Sequence, residues 1–70
     1  MRLAEQVGGN IAEARQRAGL TQEQLGKRAS IRPNDISRLE CGHYSPHLQT
    51  LVRLAGALEV SAANLLEGVG

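Results

Sequence analysis

Phenylalanine and tryptophan are absent from this 70-residue chain, and Tyr44 is its single aromatic residue. A core without aromatic rings has to be closed by aliphatic side chains, here drawn from ten Leu, four Val and three Ile. That set suits close helix packing better than a sandwich of strands. Cys41 is the one cysteine, which excludes an intrachain disulfide and a multi-cysteine metal site and fits a reducing, cytosolic setting. No window approaches the roughly 20 apolar residues of a membrane span. The stretch from Met1 to Ala18 carries scattered charges and no apolar run of signal-peptide type. The expectation is a soluble protein of the cytoplasm.

An excess of one charge is missing too. Eight Lys and Arg stand against seven Asp and Glu, for a formal net charge of +1. So weak a balance does not advertise nucleic acid, and any basic face must come from how the charges are arranged. Repeats, low-complexity stretches and linkers are lacking, so residues 1–70 are expected to form one domain. A chain this short buries only roughly 60% of the surface its unfolded form exposes, so its stability is modest. Catalytic machinery is not apparent. There is no nucleophile with a matched His and carboxylate, no glycine-rich phosphate loop and no zinc signature. Cys41, His43 and His47 crowd within seven residues without the paired spacing of a metal site. No enzyme activity, cofactor, metal or small-molecule ligand is expected.

What is present is helical periodicity throughout. Leu3, Val7, Ile11, Ala14 and Ala18 form one helical stripe. Gly8 and Gly9 interrupt it at a cost of roughly 1 kcal/mol each, which points to close packing or fraying. Gly19 suits the left-handed residue that ends a helix. Thr21-x-x-Gln24 then fits a capping box for a helix over Gln22 to Arg28, with Leu25 and Ala29 facing inward and Gly26 allowing close approach. After a tight turn at Ser30 and Ile31, Pro33 suits the first position of a third helix running to Cys41, with Ile36 and Leu39 buried. A fourth helix is predicted over Leu48 to Leu58 with Leu48, Leu51, Val52, Ala55 and Leu58 as its apolar stripe. Ser61 caps a short fifth carrying Leu65 and Leu66, which Gly68 ends.

Two short helices joined by a tight turn read either as a hairpin within a bundle or as a DNA-binding pair. The outward face of the third helix carries Arg32, Pro33, Asn34, Ser37 and Arg38. Asn34 and Arg38 are four apart and point the same way. An Asn amide can bond adenine bidentately, and an Arg guanidinium can do the same to guanine. Such residues equally suit a solvated helix face. Asp35 complements the helix dipole but repels phosphate.

The elements GLTQEQL, IxxxxISRLExG, SPxLxTLxxLAxAL and VSxxxLL occur in that order from Gly19 to Leu66. In this the chain resembles the lambda-repressor/Cro-like (Xre-type) helix-turn-helix family. The resemblance implies an all-α, compact five-helix bundle with the helix-turn-helix at helices 2 and 3. It also implies sequence-specific recognition of double-stranded DNA by a transcriptional regulator that acts by promoter occupancy at the nucleoid of a prokaryote or phage host. The recognition helix would be about 33–41. Base reading would fall to Arg32, Pro33, Asn34, Ser37 and Arg38, and backbone contact to Thr21, Gln22, His43, Tyr44 and Ser45, with Tyr44 alternatively a loop residue packed on the fourth helix. Gln22 would grip a phosphate or brace the first residues of the recognition helix. Arg15 and Glu40 match a structural ion pair. Members of the family usually bind near-palindromic operators as homodimers, and Val60, Leu65, Leu66 and Val69 are the interface candidates, with closure of the core as the alternative role, above all for Leu65. A second class of reading, a module that bridges proteins, is favoured by the +1 charge and Asp35.

The chain departs from the family pattern at three places. Ser30 stands where the turn usually has glycine, and a left-handed backbone there would cost roughly 1–2 kcal/mol. Arg32–Pro33 replaces the usual Ser or Thr cap, which leaves Asn34 as an alternative cap. Cys41 replaces a basic residue before Gly42.

Overall fold

The computed structural model describes residues 3–69, and its elements are α1 (Leu3–Arg17), α2 (Gln22–Ala29), α3 (Pro33–Glu40), α4 (Leu48–Leu58) and α5 (Ala62–Leu65). Among the described residues there is no strand. Among the same residues no helix is long and apolar enough to cross a membrane.

Local chemistry sets the helix ends. Gly19 is left-handed at φ 72°, and the amides of Gly19 and Leu20 close on the carbonyls of Gln16 and Arg15. This is the paired bonding of a Schellman ending. It turns the chain so that Leu20 enters the core. At Thr21 the capping box is complete. The hydroxyl accepts from the Gln24 amide at 3.0 Å, and the Gln24 side chain accepts from the Thr21 amide at 2.9 Å. Ser61 caps α5 through the Asn64 amide.

Each helix sends at least one fully buried side chain to the centre: Ile11, Leu25, Ile36, Leu39, Leu54 and Leu65. α1 packs on α3, α4 and α5, and α2 packs on α3 and α4. Two glycines set spacing. A Cβ on Gly8 would collide with the Leu39 carbonyl oxygen, so the backbones of α1 and α3 touch there. A Cβ on Gly26 would lie 2.5 Å from the Ile31 carbonyl oxygen, so the chain leaving α2 doubles back over it.

Two expected stripes need correction. On α4 the buried positions are Leu51, Leu54, Ala55 and Leu58, whereas Leu48 and Val52 are 74% and 55% exposed. The helix is rotated so that Leu54 is fully buried, and α4 packs on α1, α2 and α5. On α1, Leu3 and Ala18 lie at the exposed ends, beyond the reach of the small core.

Candidate nucleic-acid interface

Ser30 adopts the left-handed conformation itself, at φ 59° and ψ 45°. The Ile31 amide bonds the Gly26 carbonyl at 2.8 Å across this turn. Support comes from α4. The Arg53 guanidinium donates through Nε to the Ala29 carbonyl at 3.0 Å and through Nη2 to the Ser30 carbonyl at 2.6 Å. These oxygens belong to the end of a helix, where carbonyls lack intrahelical partners and carry partial negative charge. Sequence reasoning missed Arg53. Its only signal was a cation between Val52 and Leu54, which reads as solvated helix surface.

Arg32 is the extended N-cap of α3, without a side-chain cap bond, and Pro33 follows at the first helical position. Asn34 therefore lies inside the helix, and its amide is not used as a cap. Cys41 is the exposed C-cap, so the helix proper stops at Glu40. With Ile36 and Leu39 buried, the opposite side of α3 faces solvent. Arg32, Asn34, Asp35, Ser37 and Arg38 line one shallow depression on that side. Pro33 is turned away from it and borders a second depression with Glu23, Gly26 and Lys27 of α2.

The other end of α3 is clamped. Arg15 donates to both Glu40 carboxylate oxygens, Nε at 2.7 Å and Nη2 at 3.1 Å, and through Nη1 to the Leu20 carbonyl at 2.9 Å. The side chains of the pair keep only 14% and 7% of their exposure. The Glu40 hydrogen bond pushes the Arg15 guanidinium above its ordinary range, against the desolvation that would lower it. Gln22 joins through Nε2 to Glu40 Oε1 at 3.0 Å. The expected brace from Gln22 thus lands on the last residue of α3 and not the first, because the start of α2 lies beside the end of α3. One amide hydrogen of Gln22 is taken, and the second is left for another acceptor.

Gly42, left-handed at φ 76°, carries the chain out of α3, and the His43 amide closes on the Arg38 carbonyl at 3.0 Å. His43, Tyr44 and Ser45 are exposed on the following loop. The Tyr44 ring lies beneath Arg38, with the guanidinium carbon 5.7 Å from its centroid. Among the described residues no three His, Cys, Asp or Glu side chains gather. Between Lys27 and Arg53 stand five cations and two carboxylates, and one of the two, Glu40, is neutralised by Arg15. Glu5, Glu13, Glu59 and Glu67 belong to α1 and the C-terminal segment.

The four proposed interface residues separate. Leu65 is fully buried and closes the core, which removes it from any interface. α5 is a single turn, Leu65 is its one fully buried residue and Ala62 packs half-buried beside the core, so Leu65 takes the core-closing role that the sequence also allowed. Val60 and Val69 pack half-buried against the core, and Leu66 is 40% exposed.

A helix-turn-helix family profile matches residues 11–65. The chain belongs to the helix-turn-helix family. This helix-turn-helix protein is 39% identical to an uncharacterized transcriptional regulator, y4dJ, of Sinorhizobium fredii, over 94% of the chain and 86% of that regulator. It superposes with a TM-score of 0.90 on the clp gene regulator ClgR from C. glutamicum, at 27% identity, covering 94% of this chain and 86% of that one. With the P22 c2 repressor, solved in complex with a synthetic operator, the TM-score is 0.81 at 31% identity, covering 89% of this chain and 94% of the repressor. The fold is that of the lambda-repressor-like regulators, and the protein is a sequence-specific DNA-binding transcriptional regulator.

Proposed function

We propose that residues 1–70 act as a single domain that binds a near-palindromic duplex operator as a homodimer, with α3 in the major groove, and represses or controls transcription by occupying the promoter at the nucleoid of the cytoplasm. The observation that carries this is the solvent face of α3. Arg32, Asn34, Ser37 and Arg38 stand together there on a helix pinned from behind by Ile36 and Leu39. Arg38 reads guanine, Asn34 adenine, and Ser37 and Arg32 contact base or sugar edges. Pro33 touches the flank of the groove from its place against α2.

Backbone contacts come from the start of α2 and the loop after α3. The Thr21 hydroxyl hydrogen, the second amide hydrogen of Gln22, and the His43, Tyr44 and Ser45 side chains are the donors. The free amides at the start of α2 add partial positive charge. The molecule measures 29 × 22 × 21 Å. A helical turn of DNA is about 34 Å, so one copy covers one half-site and two copies cover a twofold operator. Leu66, flanked by Val60 and Val69, supplies the apolar contact between copies.

Selection of binding sites from a random duplex library tests the reading. The expected result is a motif with twofold symmetry and half-sites about one turn apart. Affinity for it should fall steeply with salt, because each neutralised phosphate releases counterions. A library that returns no enriched motif, with binding insensitive to salt, would overturn the proposal in favour of a protein-bridging role.

A further inference from the structure

We propose that Tyr44 is a specificity-determining residue: its ring is the platform that holds the Arg38 guanidinium in register with a guanine. The inference rests on the reading of Arg38 as a base contact. The Arg38 guanidinium carbon sits 5.7 Å from the Tyr44 centroid, within the roughly 6 Å over which a ring face attracts a cation. Among the described residues the ion pairs are Arg15–Glu40 and Arg17–Glu13, so the ring is the partner Arg38 has.

The chemistry of that partner matters. A carboxylate would also fix an arginine, but it would consume the N–H pairs that a base edge needs. A ring face attracts the cation and takes no N–H donor. All five donors of Arg38 stay free for the O6 and N7 of a guanine. A long exposed side chain loses rotamer freedom when it binds, and part of that loss is already met if a ring restricts it beforehand.

The fold places the ring there. The left-handed Gly42 reverses the chain after α3, and the His43 amide ties back to the Arg38 carbonyl at 3.0 Å. Tyr44 keeps 38% of its exposure and borders a depression with Leu39, Pro46, His47 and Thr50. A ring moored on this loop is fixed relative to the α3 residue above it.

The test measures discrimination: affinity for the selected operator divided by affinity for the same duplex altered at the position that Arg38→Ala relaxes. Tyr44→Phe keeps the ring and should hold this ratio within about twofold. Tyr44→Leu fills the same depression without a ring face and should lower the ratio about two- to five-fold, the size of an exposed cation–ring contact. Binding of Tyr44→Leu to an unrelated duplex should match that of Tyr44→Phe. In an Arg38→Ala background, Tyr44→Leu should change the ratio no further. The proposal is overturned if Tyr44→Leu keeps full discrimination, if Tyr44→Phe loses as much as Tyr44→Leu, or if Tyr44→Leu still lowers the ratio without Arg38. If Arg38→Ala relaxes one base position and Tyr44→Leu does not, only the platform fails. If Arg38→Ala relaxes none, the assignment of the α3 face fails and the platform falls with it.

Discussion

At the scale of single residues, Gly8 and Gly9 are adjacent in the same helix and do opposite things. A methyl on Gly8 would strike the backbone of α3, whereas one on Gly9 meets nothing within 4 Å. Alanine is the better helix former by about 1 kcal/mol. Gly9→Ala should therefore raise stability by up to about 1 kcal/mol in urea denaturation. Gly8→Ala should lower it by roughly 1–3 kcal/mol, because the overpacked contact is backbone and cannot swing aside. Equal effects from the two substitutions would contradict the close approach of α1 and α3. In the sequence both glycines read alike, as packing or fraying, because periodicity does not say which side of a helix meets another backbone.

At the scale of elements, the turn between α2 and α3 is held from outside by α4. Ser30 carries a left-handed strain of roughly 1–2 kcal/mol, and Arg53 satisfies the carbonyls around it. Arg53→Ala should cost roughly 1.5–3 kcal/mol, the range for hydrogen bonds to a charged group. Ser30→Gly should be stabilising by a few tenths to 1 kcal/mol. Arg53 helps hold a conformation that glycine adopts without strain, so the two effects should couple. A double-mutant cycle giving strict additivity would argue that Arg53 merely rests on the turn.

The other end of α3 hangs on Arg15 and Glu40. Glu40→Ala leaves a largely buried guanidinium unpaired and should cost roughly 3 kcal/mol by thermal denaturation, a large share of the stability of so small a domain. Arg15 is held above its ordinary value, so its own titration removes the stability it contributes only as pH rises through that raised value, far above neutrality. A fall in stability near neutral pH that disappears in an Arg15 variant would be inconsistent with this.

At the scale of the whole molecule, the near-neutral total conceals a segregation. Of the cations in and between α2 and α4, Arg32 and Arg38 line the solvent face of α3 together with Asp35, and Glu5, Glu13, Glu59 and Glu67 lie outside these elements. The proposed dimer gives Leu65 and Leu66 different roles. Leu65→Ala opens a cavity in the core and should lower stability by roughly 2–5 kcal/mol. Leu66→Glu should leave the unfolding transition nearly unchanged yet shift the protein toward monomer in sedimentation and weaken operator binding. A Leu66→Glu protein that remains dimeric would move the interface elsewhere, with the exposed Leu48 and Val52 of α4 the next surface to test.

The residues themselves determined the five helices, the helix ends at Gly19, Thr21 and Ser61 and the outward face of α3, because capping boxes, left-handed glycines and apolar spacing act within a few residues of one another. The pair of Arg15 and Glu40 and the placement of Tyr44 in the loop after α3 were legible through the family pattern, which preserves order and spacing. Tertiary structure alone decided the rotation of α4 toward Leu54, the clamp of Arg53 on the Ser30 turn and the placing of Arg38 over the Tyr44 ring. Each of these depends on how elements distant in sequence meet in space, and a one-dimensional pattern carries no distance between them.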